Sequence, residues 1–227
     1  IHKCLQSLKK SGVSKIIVVD GGSTDLTRTI CKKFTKNIYK TRKGLGYQTF
    51  YGIKKAKSKY VVLVEADHIY PKNFFKRLYK KYLIKNPELI SAPVITKYKE
   101  KNFFTIGQKS FMKIHYLQQK KSSYPTIPLL SKKRILENIY QEIKNIDSFG
   151  IDTSRAEVVK KKKFKFYLSE IKIYENSQLN FKQFLIRMKN YAHGDYEFYN
   201  LYRKKESPWI KLKSISHVFL RYGLNYP

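Results

Sequence analysis

KIIVVDGGSTD, residues 15–25, decides how the rest of the chain is read. Ile16, Ile17, Val18 and Val19 form a continuous β-branched run, the composition of a strand buried on both faces of a sheet. Asp20 ends the run. Open α/β sheets bind their ligands at the carboxyl ends of their strands, and a carboxylate there suits an N–H donor such as the imide edge of uracil. Gly21 and Gly22 let the backbone turn sharply and leave room for a flat ligand. Ser23, Thr24 and Asp25 then supply capping oxygens for a helix over roughly 25–35.

Upstream, Ile1, Cys4, Leu5 and Leu8 recur at helical spacing, and Gly12 ends that helix. Downstream, NIYKT (37–41) is a short strand, followed by a Gly44/Gly46 turn and a helix over roughly 46–57. KYVVLVEAD (59–67) carries the strongest strand pattern in the chain. Pro71 suits the first turn of an amphipathic helix over 71–83, and ELISAPVI (88–95) is a further buried strand. This alternation of strand and helix predicts a parallel sheet with helices on both faces. Past about residue 96 the alternation breaks down. A helix near 103–120, a Pro-containing segment (124–130) and a helix near 131–144 precede two short strands in FKFYLSEIKIYEN (164–176). A long helix covers roughly 179–200, and the run KKKK (160–163) reads as a solvated connection.

A second acidic stretch, VEADHIYP (64–71), follows the strongest strand. Glu65 and Asp67 are two residues apart as the backbone leaves the sheet, so they point to one side. Two such oxygens, in a chain this poor in acids, fit a hard divalent cation carrying a diphosphate.

Composition sets the outer bounds. Hydrophobic residues make up 42% of the 227 and aromatics 15%, which marks a folding sequence with one substantial core. Lys and Arg total 48 against 16 Asp and Glu, a formal net charge of +32. That balance favours polyanions, whether nucleic acid, anionic lipid or phosphate-bearing substrates. The lysines run through nearly every segment, so no single nucleic-acid patch stands out. Cys4 and Cys31 offer neither metal spacing nor a disulfide framework and read as free buried thiols. There is no run of about 18 apolar residues, the length of a membrane span. The chain opens in mid-helix without Met and reads as a piece of a longer protein that lacks a first strand.

VVDGGSTD (18–25), GLGYQTFYGIKKA (44–56) and YVVLVEADHIYP (60–71) together resemble the nucleotide-sugar-binding half of the family 2 glycosyltransferases. The resemblance implies a Rossmann-like GT-A fold: a mostly parallel central sheet with flanking helices and a smaller mixed elaboration on the acceptor side. It divides the chain into a nucleotide-sugar half (1–95), an acceptor half (96–200) and a basic, apolar C-terminal segment (201–227). In that family the first Asp of V-D-x-G-S-T-D contacts the base, which maps to Asp20, with Gly22, Ser23 and Gly44 in the same donor site. The D-x-D motif maps to Glu65-Ala66-Asp67. It implies Mg²⁺ or Mn²⁺ on Asp67, with Glu65 directed toward ribose or metal. Gly44, Gly52, Ile53 and Ala56 match the family's next segment, while Thr49-Phe50 replaces its usual Arg-Asn.

The resemblance continues more loosely through PLLSKKRILENI (128–139) and SFGIDTSRAEVV (148–159). Asp152 falls on the Asp of the family's Glu-Asp pair, with Ile151 in place of Glu. It is thereby implied as the general base that deprotonates an acceptor hydroxyl. A helix N-cap role for Asp152, and Asp147 as the base instead, are the alternatives. Glu175 stands where the family often has His, a further candidate metal ligand. FLIRMKNYAHG (184–194) is similar to R-x-x-x-Y/W-x-x-G through Arg187, Tyr191 and Gly194. Arg187 suits a bidentate phosphate contact, and His193 is either structural or near the diphosphate.

The expected activity is metal-dependent, inverting transfer of a sugar from a nucleotide diphosphate sugar to a hydroxyl of a glycan or lipid-linked acceptor. WIKLKSISHVFLRYGL (209–224) mixes apolar and basic residues as interfacial segments do. It places the protein at the cytoplasmic face of a membrane, against anionic lipid, with no specific nucleic acid as partner. A sugar-nucleotide pyrophosphorylase and a basic nucleic-acid-binding protein are the competing classes.

Overall fold

The computed structural model describes residues 1–98, 125–147, 150–177 and 180–203. In chain order these form α1 (His2–Ser11), β1 (Val18–Asp20), α2 (Thr27–Lys32), β2 (Ile38–Lys40), α3 (Leu45–Lys55), β3 (Tyr60–Leu63), β4 (His68–Ile69) and α4 (Phe74–Lys85). There follow β5 (Leu89–Ser91), β6 (Val94–Tyr98), β7 (Leu129–Lys132), α5 (Lys133–Ile143), α6 (Ile151–Lys161), β8 (Phe166–Leu168), β9 (Ile173–Ser177) and α7 (Phe181–Phe198). A π-helical turn, Tyr199–Arg203, continues from α7.

Neighbouring strand residues point to opposite faces, and this alternation sorts the core into two clusters. Ile90 and Leu130 face a cluster with Leu5 and Leu8 of α1, Cys31 of α2 and Phe74 and Leu78 of α4. Leu89 and Leu129, one residue earlier in each strand, face a second cluster with Ile53 of α3, Ile139 and Ile143 of α5 and Val158 of α6. The result is a sheet layer between two helical layers, as the alternating pattern predicts.

The strand order refines the expectation of a parallel sheet. β1 and β2 pair in parallel. β7 runs antiparallel between β3 and β5, while β8 pairs in parallel with β5. β4, β9 and β6 form a third, three-stranded ladder. PLLSK, expected as a Pro-containing segment running into a helix, contains a strand instead. Its four residues pass directly into α5, so no turn signal separates the two elements.

Other boundaries also move. ELISAPVI splits into β5 and β6 around Pro93, which has no N–H to extend a ladder. Pro71 precedes α4 instead of occupying its first turn; the helix starts after Asn73, which adopts a left-handed conformation at φ 58°. Lys160 and Lys161 close α6, and Lys162 pairs with Glu142 at 2.7 Å, so the basic run is partly a helix end and not only a connection. The two strands of 164–176 are present but do not pair with each other, since β8 joins β5 and β9 joins β4 and β6.

β5 is buried along its whole length, whereas Val18 and Val19 of β1 and Tyr60, Val61 and Val62 of β3 are half-buried. The run at 15–20, expected to be buried on both faces, is therefore open in part, as is β3. β1 and β3 each carry a strand on one edge alone among the described residues, while β5 is paired on both. The helix expected near 103–120 and the segment 209–224 lie outside the described residues. No described helix is long and apolar enough to cross a membrane.

Candidate active site

Asp20 ends β1 and is 4% exposed. The backbone N–H and the hydroxyl of Ser23 both donate to its Oδ1, at 3.0 and 2.6 Å. Ser23 thus turns back onto the carboxylate, and the side-chain cap expected of it is not made. α2 begins later, at Thr27, whose N–H donates to Asp25 Oδ1 at 3.0 Å. Asp20 Oδ2 is buried without a hydrogen bond; its nearest cation is the half-exposed Arg28, with Nε at 3.8 Å. A buried oxygen left without a donor costs about 1–3 kcal/mol, so this atom has room for one more N–H donor. Burial pushes the Asp20 carboxyl up, but the Ser23 hydroxyl, the Ser23 and Gly22 N–H groups and the Arg28 charge together hold it below its ordinary value. It is therefore an acceptor at neutral pH.

The glycine turn lies beside the same strand. Gly44 has φ 139°, and a Cβ there would sit 2.1 Å from Asp147 Oδ1, so only glycine fits both the backbone and the space. Arg42 bonds Asp147 at 3.3 Å and stacks on Tyr47 with its guanidinium 4.5 Å from the ring centre. Gln48, which the sequence reading did not single out, ties this turn to β1: its amide donates to the Val19 carbonyl at 3.1 Å, and its Oε1 accepts from Gly44 N–H at 3.3 Å. Gly22, at φ 101°, faces open space. Asp147, the alternative base, follows α5 and packs against the Gly44 turn, paired with Arg42.

VEADHIYP is pinned at both ends by α1. The Cys4 thiol donates to the Glu65 carbonyl at 3.3 Å, and Tyr70 N–H donates to Ser7 Oγ at 3.1 Å. Between these anchors, ligand atoms of Glu65, Asp67 and His68 lie within 4.8 Å of one another. The carboxylates are exposed and the imidazole is buried. His68 Nε2 is 3.2 Å from Glu65 Oε2. Burial, acting against the charges of Asp67 and Asp152, lowers the His68 pKa and keeps the ring neutral. Two carboxylates and a neutral imidazole are a donor set that fits a divalent cation. His68, also not singled out, was signalled only by its place directly after the acidic pair. The β4–β9 register sets Glu175 opposite His68.

Asp152 lies in the first turn of α6, after an N-terminal cap position held by Gly150, and makes no cap. Its carboxylate pairs with Arg155, one helical turn on. Asp67 and Asp152 both act on His68, and Asp152 and Glu65 both act on Tyr140, so the acidic loop and Asp152 share one electrostatic neighbourhood. α7 docks against α6 through two glycines: a Cβ on Gly150 would meet the Gly194 carbonyl oxygen at 2.4 Å. Arg187 and Tyr191 lie on α7. His193 is mostly exposed, 3.8 Å from Glu197, and Glu197 in turn accepts from Asp147 N–H at 3.3 Å.

Known proteins share both pattern and shape. Glycosyltransferase GlyA of Streptococcus pneumoniae is 25% identical over 198 residues, which is 83% of this chain and 27% of that relative. The chain thus spans about a quarter of the relative's length. Solved structures of the same fold include S. aureus TarS 1-349 in complex with UDP, with a TM-score of 0.53 and 14% identity over 86% of this chain and 61% of that one. Glucosyl-3-phosphoglycerate synthase from Mycobacterium tuberculosis, in complex with Mg²⁺ and UDP, has a TM-score of 0.54 and 11% identity over 85% of this chain and 75% of that one. The family model described as glycosyl transferase family 2 matches residues 1–144, from α1 through α5 and across Asp20, Gly44, Glu65 and Asp67. The chain belongs to glycosyl transferase family 2.

Proposed function

We propose that this chain transfers a sugar from a nucleotide diphosphate sugar to an acceptor hydroxyl with inversion, aided by Mg²⁺ or Mn²⁺. The observation that carries the donor site is the buried, unbonded Oδ2 of Asp20 at the carboxyl end of β1. It would accept the imide N–H of the base, while Gly22 leaves the backbone open beside it. TarS with UDP and the synthase with Mg²⁺ and UDP support a uridine donor. Glu65, Asp67 and His68 would hold the cation, and Arg187 would reach the diphosphate. A bound divalent cation would offset the charge that collects on the leaving diphosphate. Asp152 would take the proton of the acceptor hydroxyl as its oxygen bonds the anomeric carbon and the carbon–oxygen bond to the diphosphate breaks. The diphosphate leaves with that electron pair. Residues 1–95 would serve the donor and 96–200 the acceptor.

A thermal-shift screen of UDP- and GDP-sugars with and without Mn²⁺ tests this reading. The expected result is Mn²⁺-dependent stabilisation by one sugar nucleotide, lost in Asp20→Asn and Asp67→Ala. Stabilisation that is equal without the metal, or unchanged in both variants, would overturn it. The charge of +32 and the residue pattern of 209–224 support work at the cytoplasmic face of a membrane, on a lipid-linked or glycan acceptor. Co-sedimentation with anionic but not neutral liposomes is the expected outcome.

A further inference from the structure

Arg155 is fully buried, the largest side chain with almost no exposure among the described residues. Its Nε and Nη2 donate to the Pro125 carbonyl at 3.0 and 2.9 Å, and Nη1 donates to the Tyr140 hydroxyl at 2.9 Å. Nη2 also donates to Asp152 Oδ1. Tyr140 is itself fully buried in α5. The guanidinium therefore joins three separate segments: the chain before β7, α5 and the first turn of α6. Asp152, at the end of this clamp, is 40% exposed.

Burying a guanidinium is costly, and apolar packing of similar volume is often as stable or more so. A rigid fork has what an apolar side chain lacks: fixed directions for its donors. Here those directions end on one oxygen of a carboxylate that otherwise projects into solvent. We propose that Arg155 is a positioning residue that aims Asp152 at the acceptor oxygen, with Tyr140 and the Pro125 carbonyl fixing the guanidinium. This inference rests on Asp152 as the acceptor-activating group.

The step it serves is the loss of a proton from the acceptor hydroxyl to Asp152. A misplacement of about 1 Å at such a group can cost about 10²-fold in rate. Pro125, Tyr140 and Asp152, the clamp's partners, all lie in 96–200, the half read as serving the acceptor. Removing the clamp should lower kcat and leave the donor KM in place.

The experiment is a double-mutant cycle on UDP release from UDP-N-acetylglucosamine or UDP-glucose with Mn²⁺, with water as acceptor. Arg155→Lys keeps the charge but cannot serve Pro125, Tyr140 and Asp152 together. It is expected to lower kcat by about 10- to 100-fold, with donor KM and UDP-induced thermal shift unchanged. In the Asp152→Asn background the same change is expected to cost less than about twofold, because sites acting through one another are not additive. Wild-type kcat in Arg155→Lys, while Asp152→Asn is impaired, would overturn the inference alone. So would a full, multiplicative loss in the double variant, the mark of a purely structural role. Undiminished turnover in Asp152→Asn would overturn the base assignment, and this inference with it. Tyr140→Phe removes a single anchor and decides the matter if Arg155→Lys does not fold. It is expected to lower kcat in the otherwise wild-type chain and not in the Asp152→Asn variant, and an unchanged kcat in the former would overturn the inference.

Discussion

At the scale of single residues, Asp20 carries two separable contributions. Its charge is held by donors from Ser23 and Gly22, and its second oxygen is buried without a hydrogen bond. Its folded pKa lies below the unfolded value of about 3.9. The stabilisation from its ionised form is therefore complete above that value and is lost as pH falls through the folded pKa. Thermal melts of the wild type and Asp20→Asn should differ most near neutral pH and converge below about pH 4. At the other carboxylate cluster, Asp67→Ala is expected to lower kcat by about 10²- to 10³-fold, measured as metal-dependent UDP release. The thiols show a different kind of control. Burial pushes Cys4 up to about 11 and raises Cys31 as well, with Asp67 and Asp20 adding to the effect. Both should resist iodoacetamide at about pH 8, just below the ordinary thiol pKa, in the folded chain and react once it is unfolded, as followed by mass spectrometry. Asp20, Glu65 and Asp67 were legible in the sequence because each ends a run whose strand pattern is local. Gln48 and Arg155 were not, because the carbonyls they bond lie 29 and 30 residues away in the chain, and His68 was signalled only by its place directly after the acidic pair.

At the scale of elements, helices were easier to read than strand pairing. α1 ends at Gly12 as its spacing predicts, and α3 and α7 fall close to the expected windows. Strand order was hidden, since four residues of β7 carry no sign of the direction in which they will pair. The α6–α7 contact shows the same limit. Nothing local marks Gly150 as essential, yet its Cα faces the Gly194 backbone with no room for a methyl group. Gly150→Ala should force α6 and α7 apart and lower stability by about 1–3 kcal/mol, read from denaturant melts. Because Asp152 lies two residues on, the same variant should lose turnover while keeping UDP binding.

At the scale of the whole molecule, the two acidic segments proposed to hold the donor ride on different ladders. Asp20 belongs to the β1–β2 pair, and Glu65 and Asp67 follow β3 in the four-stranded group. No ladder joins β1 to β3 among the described residues. Val18, Val62 and Val64 instead pack against one apolar cluster with Leu5, Leu8 and Cys31. Backbone hydrogen bonds hold a spacing rigidly, whereas side-chain packing yields when volume is removed. The spacing between Asp20 and the acidic loop thus rests on apolar packing; under the proposed function it would set the reach from base to diphosphate. Leu5→Ala, a change inside the buried cluster, should cost about 2–5 kcal/mol of stability. It should also raise the donor KM by altering the gap across which the nucleotide must stretch. If the donor binds as proposed, its measuring rule in this chain would be made of leucine and valine, with the acids at its two ends.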